Sequence, residues 1–256
     1  MGWSGIIGGN LAYNLLQHIN RNGDEAGSYC DSRGYSGKSK LQLMFGKNIW
    51  REIKGRVVMD FGCGNGTQAI EMAQHGARRV VGIDSRQKVL DLANQKAASA
   101  GVSGFCEFTT RTAQKVDVIF SIDGFEHYND PGQVLALMKS QIKPGGKIYI
   151  SFGPPWFHPY GGHLFSVFPW AHLIFTEKAL IRWRSDFKSD GATRFHEVEG
   201  GLNQMTVRRF RKLVRQNDFL ILEFKAIPIR KLRWLSNPLT REFMTSVVHC
   251  VLGVKE

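Results

Sequence analysis

From residue 57 onward the chain alternates short apolar runs with segments whose apolar residues recur at helical spacing. Strands are predicted over 57–60, 79–84, 105–110, 116–121 and 147–152. Between them lie helices from about 67 to 74, through Val89, Leu90, Leu92, Ala93 and Ala97, and through Val134, Leu135, Leu137 and Met138. Gly76, Gly101 and Lys143-Pro144-Gly145-Gly146 stop these helices. After a break, a helix near 206–216, a strand over 219–225 and a last apolar segment, 246–254, resume the pattern. Repeated strand–helix units of this kind make an α/β fold, a mostly parallel seven-stranded sheet with helices on both faces and ligands at the strands' carboxyl ends.

Upstream, Leu11, Leu15, Leu16 and Ile19 predict one helix, and Leu41, Leu43, Met44, Phe45, Ile49 and Trp50 a second. The expected organisation is an N-terminal helical cap, residues 1–55, ahead of the main domain, residues 56–256. Within that domain residues 154–205 break the alternation with proline, aromatics, histidines and arginines, and read as a lid insertion over the substrate side. The glycine-rich run 31–40 reads as a loop or ligand-ordered lid. Its Gly37-Lys38-Ser39 lacks the preceding strand and upstream glycine of a phosphate loop.

The first strand runs into Asp60-Phe61-Gly62-Cys63-Gly64-Asn65-Gly66-Thr67. Three glycines within five residues form a tight turn that presents backbone N–H groups at a helix N-terminus. Thr67 occupies the last position of the dinucleotide fingerprint, where glycine is required. Asp60 at the mouth repels a pyrophosphate and attracts an amine or sulfonium. A nucleoside with an amino acid end and no phosphate therefore fits the turn. Asp84, closing the second strand, stands where an acid accepts hydrogen bonds from ribose hydroxyls.

The stretch Asp60 to Gly66 resembles the D-x-G-x-G motif of the Rossmann-like, class I S-adenosylmethionine-dependent methyltransferases. The resemblance continues through Val80-Val81-Gly82-Ile83-Asp84, through Asp117 to Glu126-His127, and through Lys143-Pro144-Gly145-Gly146, spanning roughly residues 56–152. It points to the small-molecule, ubiquinone-biosynthesis-type branch. It implies S-adenosylmethionine as methyl donor and S-adenosylhomocysteine as product. The implied cofactor residues are Asp60, Gly62, Cys63, Gly64, Asn65, Thr67, Asp84, Ser85, Arg86, Thr112 and Ser121. Where the family often carries an acid after strand three, this chain has Thr109-Thr110-Arg111-Thr112-Ala113-Gln114, so backbone, a threonine or Gln114 must hold the adenine.

Composition changes the picture little. Apolar residues make up 43% and charged residues 22% of 256, as in ordinary soluble proteins. No apolar run is long enough to span a bilayer and the start lacks a leader pattern, so a cytoplasmic location is expected. Cys30, Cys63, Cys106 and Cys250 form no C-x-x-C pair, which indicates neither a zinc site nor a disulfide framework. The net charge of +12, concentrated in Arg208-Arg209-Phe210-Arg211-Lys212 and Arg230-Lys231-Leu232-Arg233, suits nucleic acid, an anionic membrane surface or an acidic substrate.

Methyl transfer to a group that carries a proton needs a base. His127 is the first candidate, with Glu126 orienting a neighbour, and Tyr160 and His163 in the insertion are further candidates; no metal is expected. Gly153-Pro154-Pro155-Trp156 differs in place and first residue from the base-holding signature of amino-methylating DNA enzymes and reads as the start of the insertion. The aromatic run 164–175 is a lid, an apolar substrate pocket or a segment dipping into a membrane. The resulting expectation is methyl transfer to a small, apolar or anionic acceptor. An RNA or other nucleic-acid methyltransferase and a non-catalytic cofactor-binding module are the rivals. The oligomeric state is left open.

Overall fold

A computed structural model describes residues 5–19, 38–198 and 201–254. The expected loop at 31–37, and Cys30, lie outside these residues. The elements in order are α1 (Gly9–Ile19), α2 (Lys40–Phe45), α3 (Ile49–Ile53), β1 (Val57–Phe61), α4 (Thr67–Gln74), β2 (Arg79–Ile83), α5 (Gln87–Ser99), β3 (Cys106–Thr109) and β4 (Val116–Ile122). They continue with α6 (Pro131–Gln141), β5 (Ile142–Phe152), α7 (Ala171–Ile174), α8 (Glu177–Arg184), α9 (Val207–Gln216), β6 (Phe219–Pro228), α10 (Arg241–Met244) and β7 (Thr245–Val254).

The seven strands form one sheet in the order β3-β2-β1-β4-β5-β7-β6. Pairing is parallel except for β7, which runs antiparallel to both β5 and β6. Alternation along β1 divides the core. Val57, Met59 and Phe61 face α6 and α9 through Leu135, Met138, Phe210 and Val214, while Val58 faces α2, α3 and α4 through Leu41, Ile53, Ala69 and Met72.

The expected turn 143–146 lies inside β5, not ahead of it. Val116 pairs with Ile142 and Val118 with Lys147, so the Pro-Gly-Gly run is accommodated as a bulge in one long strand. A third apolar cluster joins α1 to the 154–205 segment, with Ala12 and Leu16 packed among Trp156, Phe165, Phe175, Leu180, Trp183 and Phe195. The described helices within 1–55 are thus shared between two packing units: α2 and α3 cover the sheet, and α1 covers α8.

Phe210 ties the core to the site, since its ring packs edge-on against Phe125, 5.1 Å away, and lies 5.0 Å from Phe152. Phe210→Ala is expected to destabilise the fold by about 3–5 kcal/mol, read from the urea midpoint.

Candidate functional site

The glycine turn after β1 is built by left-handed backbone at Gly62 (φ 81°), Gly64 (φ 51°) and Gly66 (φ 77°), which L side chains avoid. Gly62 N and Cys63 N donate to Ile83 O at 2.8 and 2.9 Å, fixing the turn to the end of β2. A Cβ at Gly64 would meet open space, whereas one at Gly66 would strike Ala93 and Phe108 at 2.9 Å. The turn therefore needs glycine for conformation at both positions, and for packing as well at Gly66. Asn65 Oδ1 accepts from Thr67 Oγ1 at 2.8 Å, and both residues are exposed at the start of α4.

Asp60 is buried behind the turn, and its Oδ2 has no hydrogen-bond partner. Burial pushes its carboxyl up from 3.8 to about 7. The native state then holds a proton that the unfolded chain has released, so stability attributable to Asp60 falls as pH rises from about 4 to about 7. Asp60→Asn should flatten that decline, and urea midpoints at the two ends of the window check it. Cys63 is also buried, and burial pushes its thiol up, away from a reactive thiolate.

Asp84 sits at the lip of the turn with both oxygens engaged. Oδ1 accepts from Arg86 N at 3.0 Å and Arg86 Nε at 3.1 Å, and Oδ2 accepts from Gly64 N at 3.1 Å and Arg86 Nη2 at 3.2 Å. Burial raises its carboxyl, but the bonds from Arg86 and Gly64 outweigh burial and hold it below the usual range. Ribose hydroxyls reaching Asp84 must displace the Arg86 side chain, which is largely exposed.

A cavity of about 730 Å³ opens beside this pair, between the carboxyl ends of β1, β2 and β4 and one face of α6. Of the expected cofactor residues, Gly62, Asp84, Ser85, Arg86 and Thr112 line it, while Asp60, Cys63 and Ser121 lie buried behind. Thr112 O accepts from Gln141 Nε2 at 2.5 Å, which pins the loop after β3 to α6. Gln114 is not on the wall; its backbone N–H donates to Thr112 Oγ1 at 3.2 Å.

Tyr128 is a wall residue that sequence reasoning missed. Its hydroxyl donates to Phe61 O at 2.8 Å and lies 2.8 Å from Ser121 Oγ. A Cβ at Gly62 or Gly124 would stand 2.8 or 2.9 Å from the same oxygen. Two side-chain-free positions thus admit one phenol that braces the ends of β1 and β4. The signal lay in Gly124 and in the residue directly after Glu126-His127.

A second cavity, hereafter the inner cavity, has a volume of about 240 Å³ and includes Glu126, His127, Gly153, His163, Phe165 and Leu202 in its wall. Asp123, His127 and Gly201 line both cavities, so the two meet there. Asp123 takes a left-handed backbone (φ 52°) and accepts from Lys40 Nζ at 2.7 Å, which anchors α2 over the junction. His127 Nδ1 donates to Gly201 O at 2.9 Å; since a carbonyl only accepts, Nδ1 carries a proton, and the neutral form of the ring has its lone pair on Nε2.

Glu126 is fully buried, with Oε1 accepting from Gly153 N at 3.1 Å and Oε2 unpartnered. Burial pushes its carboxyl up to about 7. The His163 ring lies 5.2 Å from that of His127, and burial, with His127 nearby, pushes it down to about 3, so it stays neutral. Tyr160 is not brought to the site: it lines neither cavity, and its backbone N–H donates to His158 Nδ1 at 3.0 Å. In the 164–175 segment, Phe165, Ala171 and Phe175 are buried in the third cluster with residues of α1 and α8, and Val167, Phe168, Leu173 and Ile174 are half-buried against it. Among the described residues, no group of three or more His, Cys, Asp or Glu is placed to hold a metal ion, and no helix is long and apolar enough to cross a membrane.

Comparison with known proteins bears on the same region. Residues 53–154 match the family model described as "Methyltransferase domain". The ubiquinone biosynthesis O-methyltransferase of Coxiella burnetii is 35% identical over 104 residues, which cover 39% of this chain and 44% of that protein. The protein of the same name from Bordetella avium is 32% identical over 117 residues, 43% of this chain and 48% of that one. The chain thus aligns with somewhat under half the length of these curated relatives.

Among solved structures, a putative S-adenosylmethionine-dependent methyltransferase from Listeria monocytogenes superposes with a TM-score of 0.54 at 16% identity, covering 85% of this chain and 97% of that one. Magnesium protoporphyrin IX methyltransferase from Synechocystis, solved with bound S-adenosylhomocysteine, gives 0.51 at 18% identity over 91% and 99% of the chains. The [4+2]-cyclase SpnF gives 0.56 at 14% identity over 98% and 100%. At such identities these likenesses show the fold. Sheet order and solved-structure likenesses agree on a Rossmann-like fold, within which residues 53–154 are similar to a methyltransferase domain.

Proposed function

We propose that this protein transfers a methyl group from S-adenosylmethionine to a small, largely apolar acceptor bound in the inner cavity. The observation that carries this reading is the junction of the two cavities at Asp123, His127 and Gly201. A cofactor in the larger one meets an acceptor in the smaller one at the residues able to move a proton.

The wall fits the donor. Asp84 offers carboxylate oxygens to ribose hydroxyls, Gly64 leaves room along the backbone, and Thr110, Thr112 and Gln141 offer neutral polar atoms to a base. Asp60 Oδ2 stands behind the turn without a partner, and a cationic amino acid end would draw this carboxyl into its charged form, whereas a phosphate would not. When bound, S-adenosylmethionine supplies an electrophilic methyl group on a sulfonium.

The chain's own residues supply the rest. His127 Nε2 takes the acceptor proton, and the Glu126 carboxylate beside it favours the imidazolium so formed. Phe165, Val198 and Leu202 keep water from the inner cavity, where a methyl donor would otherwise be exposed to hydrolysis. The relatives named ubiquinone biosynthesis O-methyltransferase make an oxygen the first acceptor atom to test.

The presence of an open cavity beside the donor site supports an enzyme over a non-catalytic binding module. Transfer of a labelled methyl group into small-molecule fractions is the test. Label appearing in RNA alone would favour the nucleic-acid rival suggested by the +12 charge, and label in neither would favour the module.

A further inference from the structure

The segment between β6 and β7 is absorbed neither by the core nor by the site. Because β7 runs antiparallel to both neighbours, β6 is parallel to β5, and its carboxyl end at Pro228 lies on the edge that carries the cavities. Residues 229–244 project from that edge. The projection is closed by Ile229 N donating to Met244 O at 2.8 Å. It is stiffened by Asn237, whose Oδ1 accepts from Leu239 N at 2.9 Å and Thr240 N at 3.1 Å, and by Thr240 Oγ1 donating to Leu235 O at 2.5 Å. A built, hydrogen-bonded turn therefore holds Trp234 80% exposed and Leu239 92% exposed.

Its charge is one-sided. Arg230, Lys231 and Arg233 are exposed, and none has a carboxylate within 4.0 Å among the described residues. The segment's single acid, Glu242, faces inward and accepts from Val207 N at 3.0 Å and Arg208 N at 2.7 Å, capping α9. At the base of the projection, the Phe243 ring lies 5.3 Å from Phe157. Phe157 lines a further cavity of about 750 Å³, which shares Leu202 with the inner cavity.

We propose that residues 229–243 dock this protein on an anionic lipid bilayer surface, with Trp234 and Leu239 entering the headgroup–acyl boundary and Arg230, Lys231 and Arg233 pairing with lipid phosphates. Indole suits that boundary, being apolar in body with one polar N–H. Basic side chains gain most beside anionic headgroups. Leu239 favours a bilayer over a nucleic acid, since it has neither charge nor a face on which a base can stack.

The test is co-sedimentation of the full chain with vesicles of phosphatidylcholine alone or mixed with phosphatidylglycerol. The wild type should bind the mixed vesicles and release them in salt. Trp234→Ala combined with Leu239→Ser should lower partitioning at least about tenfold. Replacing Arg230, Lys231 and Arg233 by glutamine should lower it on the order of fivefold per charge. Unchanged unfolding midpoints in both variants establish that the fold is intact, as expected for exposed side chains. Equal binding to neutral and anionic vesicles, or wild-type binding by the Trp234/Leu239 variant, would overturn the proposal. So would competition by RNA that the Leu239 substitution leaves unaltered. None of these readouts depends on methyl transfer, so the docking surface and the proposed activity stand or fall separately.

Discussion

Asp84→Ala is expected to lower affinity for S-adenosylmethionine and for S-adenosylhomocysteine about a hundredfold or more. The change removes a carboxylate placed for two ribose hydroxyls, and hydrogen bonds to a charged group contribute about 1.5–3 kcal/mol each. It also removes the acceptor of Gly64 N, loosening the turn on which the ligand's backbone contacts depend. Asp84→Asn keeps an acceptor without the charge, and should lose roughly tenfold by the same reckoning. Arg86→Ala serves as the internal control. In the free protein Arg86 occupies both carboxylate oxygens, so removing it uncovers Asp84 and affinity should hold or rise. Calorimetric titration reads all three. Unchanged affinity in Asp84→Ala overturns the ribose assignment, and a fall in Arg86→Ala shows that the guanidinium itself contacts the ligand.

The donor side of this protein was readable because buried parallel strands are continuous apolar runs and a glycine turn has few alternatives. Val57-Val58-Met59 and Val80-Val81 with Ile83 are such runs, and Gly62, Gly64 and Gly66 follow the first of them. The acceptor side was less legible, for reasons that are tertiary. Helix α8 was not predicted, although Thr176 caps it by accepting from Ala179 N at 3.3 Å. Its Arg184 looks solvent-bound in sequence and is in fact buried, paired with Asp190 at 2.6 and 2.7 Å.

Tyr160 and His163 stand three apart in one loop, yet the local bond from Tyr160 N to His158 leaves only His163 in the inner cavity. The run at 230–233 was visible as charge. Trp234 and Leu239 gain meaning only from exposure, which no hydropathy pattern records.

His127→Ala is expected to lower kcat about 10²- to 10⁴-fold, the usual contribution of a positioned base. Affinity for the methyl donor should change far less, because His127 forms only one edge of the larger cavity. The pH dependence identifies its neighbour. Burial holds the Glu126 carboxyl near 7, so below that pH it is neutral and cannot favour an imidazolium on His127. As pH rises through about 7 the carboxylate forms, and kcat should climb to a plateau. His163, held near 3, stays neutral across this range and adds no inflection. Glu126→Gln retains an acceptor for Gly153 N but never ionises, so it should lower the plateau and remove the inflection near 7. A wild-type profile in Glu126→Gln would reduce Glu126 to a structural bond with Gly153. Full kcat in His127→Ala would mean that the acceptor arrives already deprotonated, leaving the inner cavity to position it and exclude water.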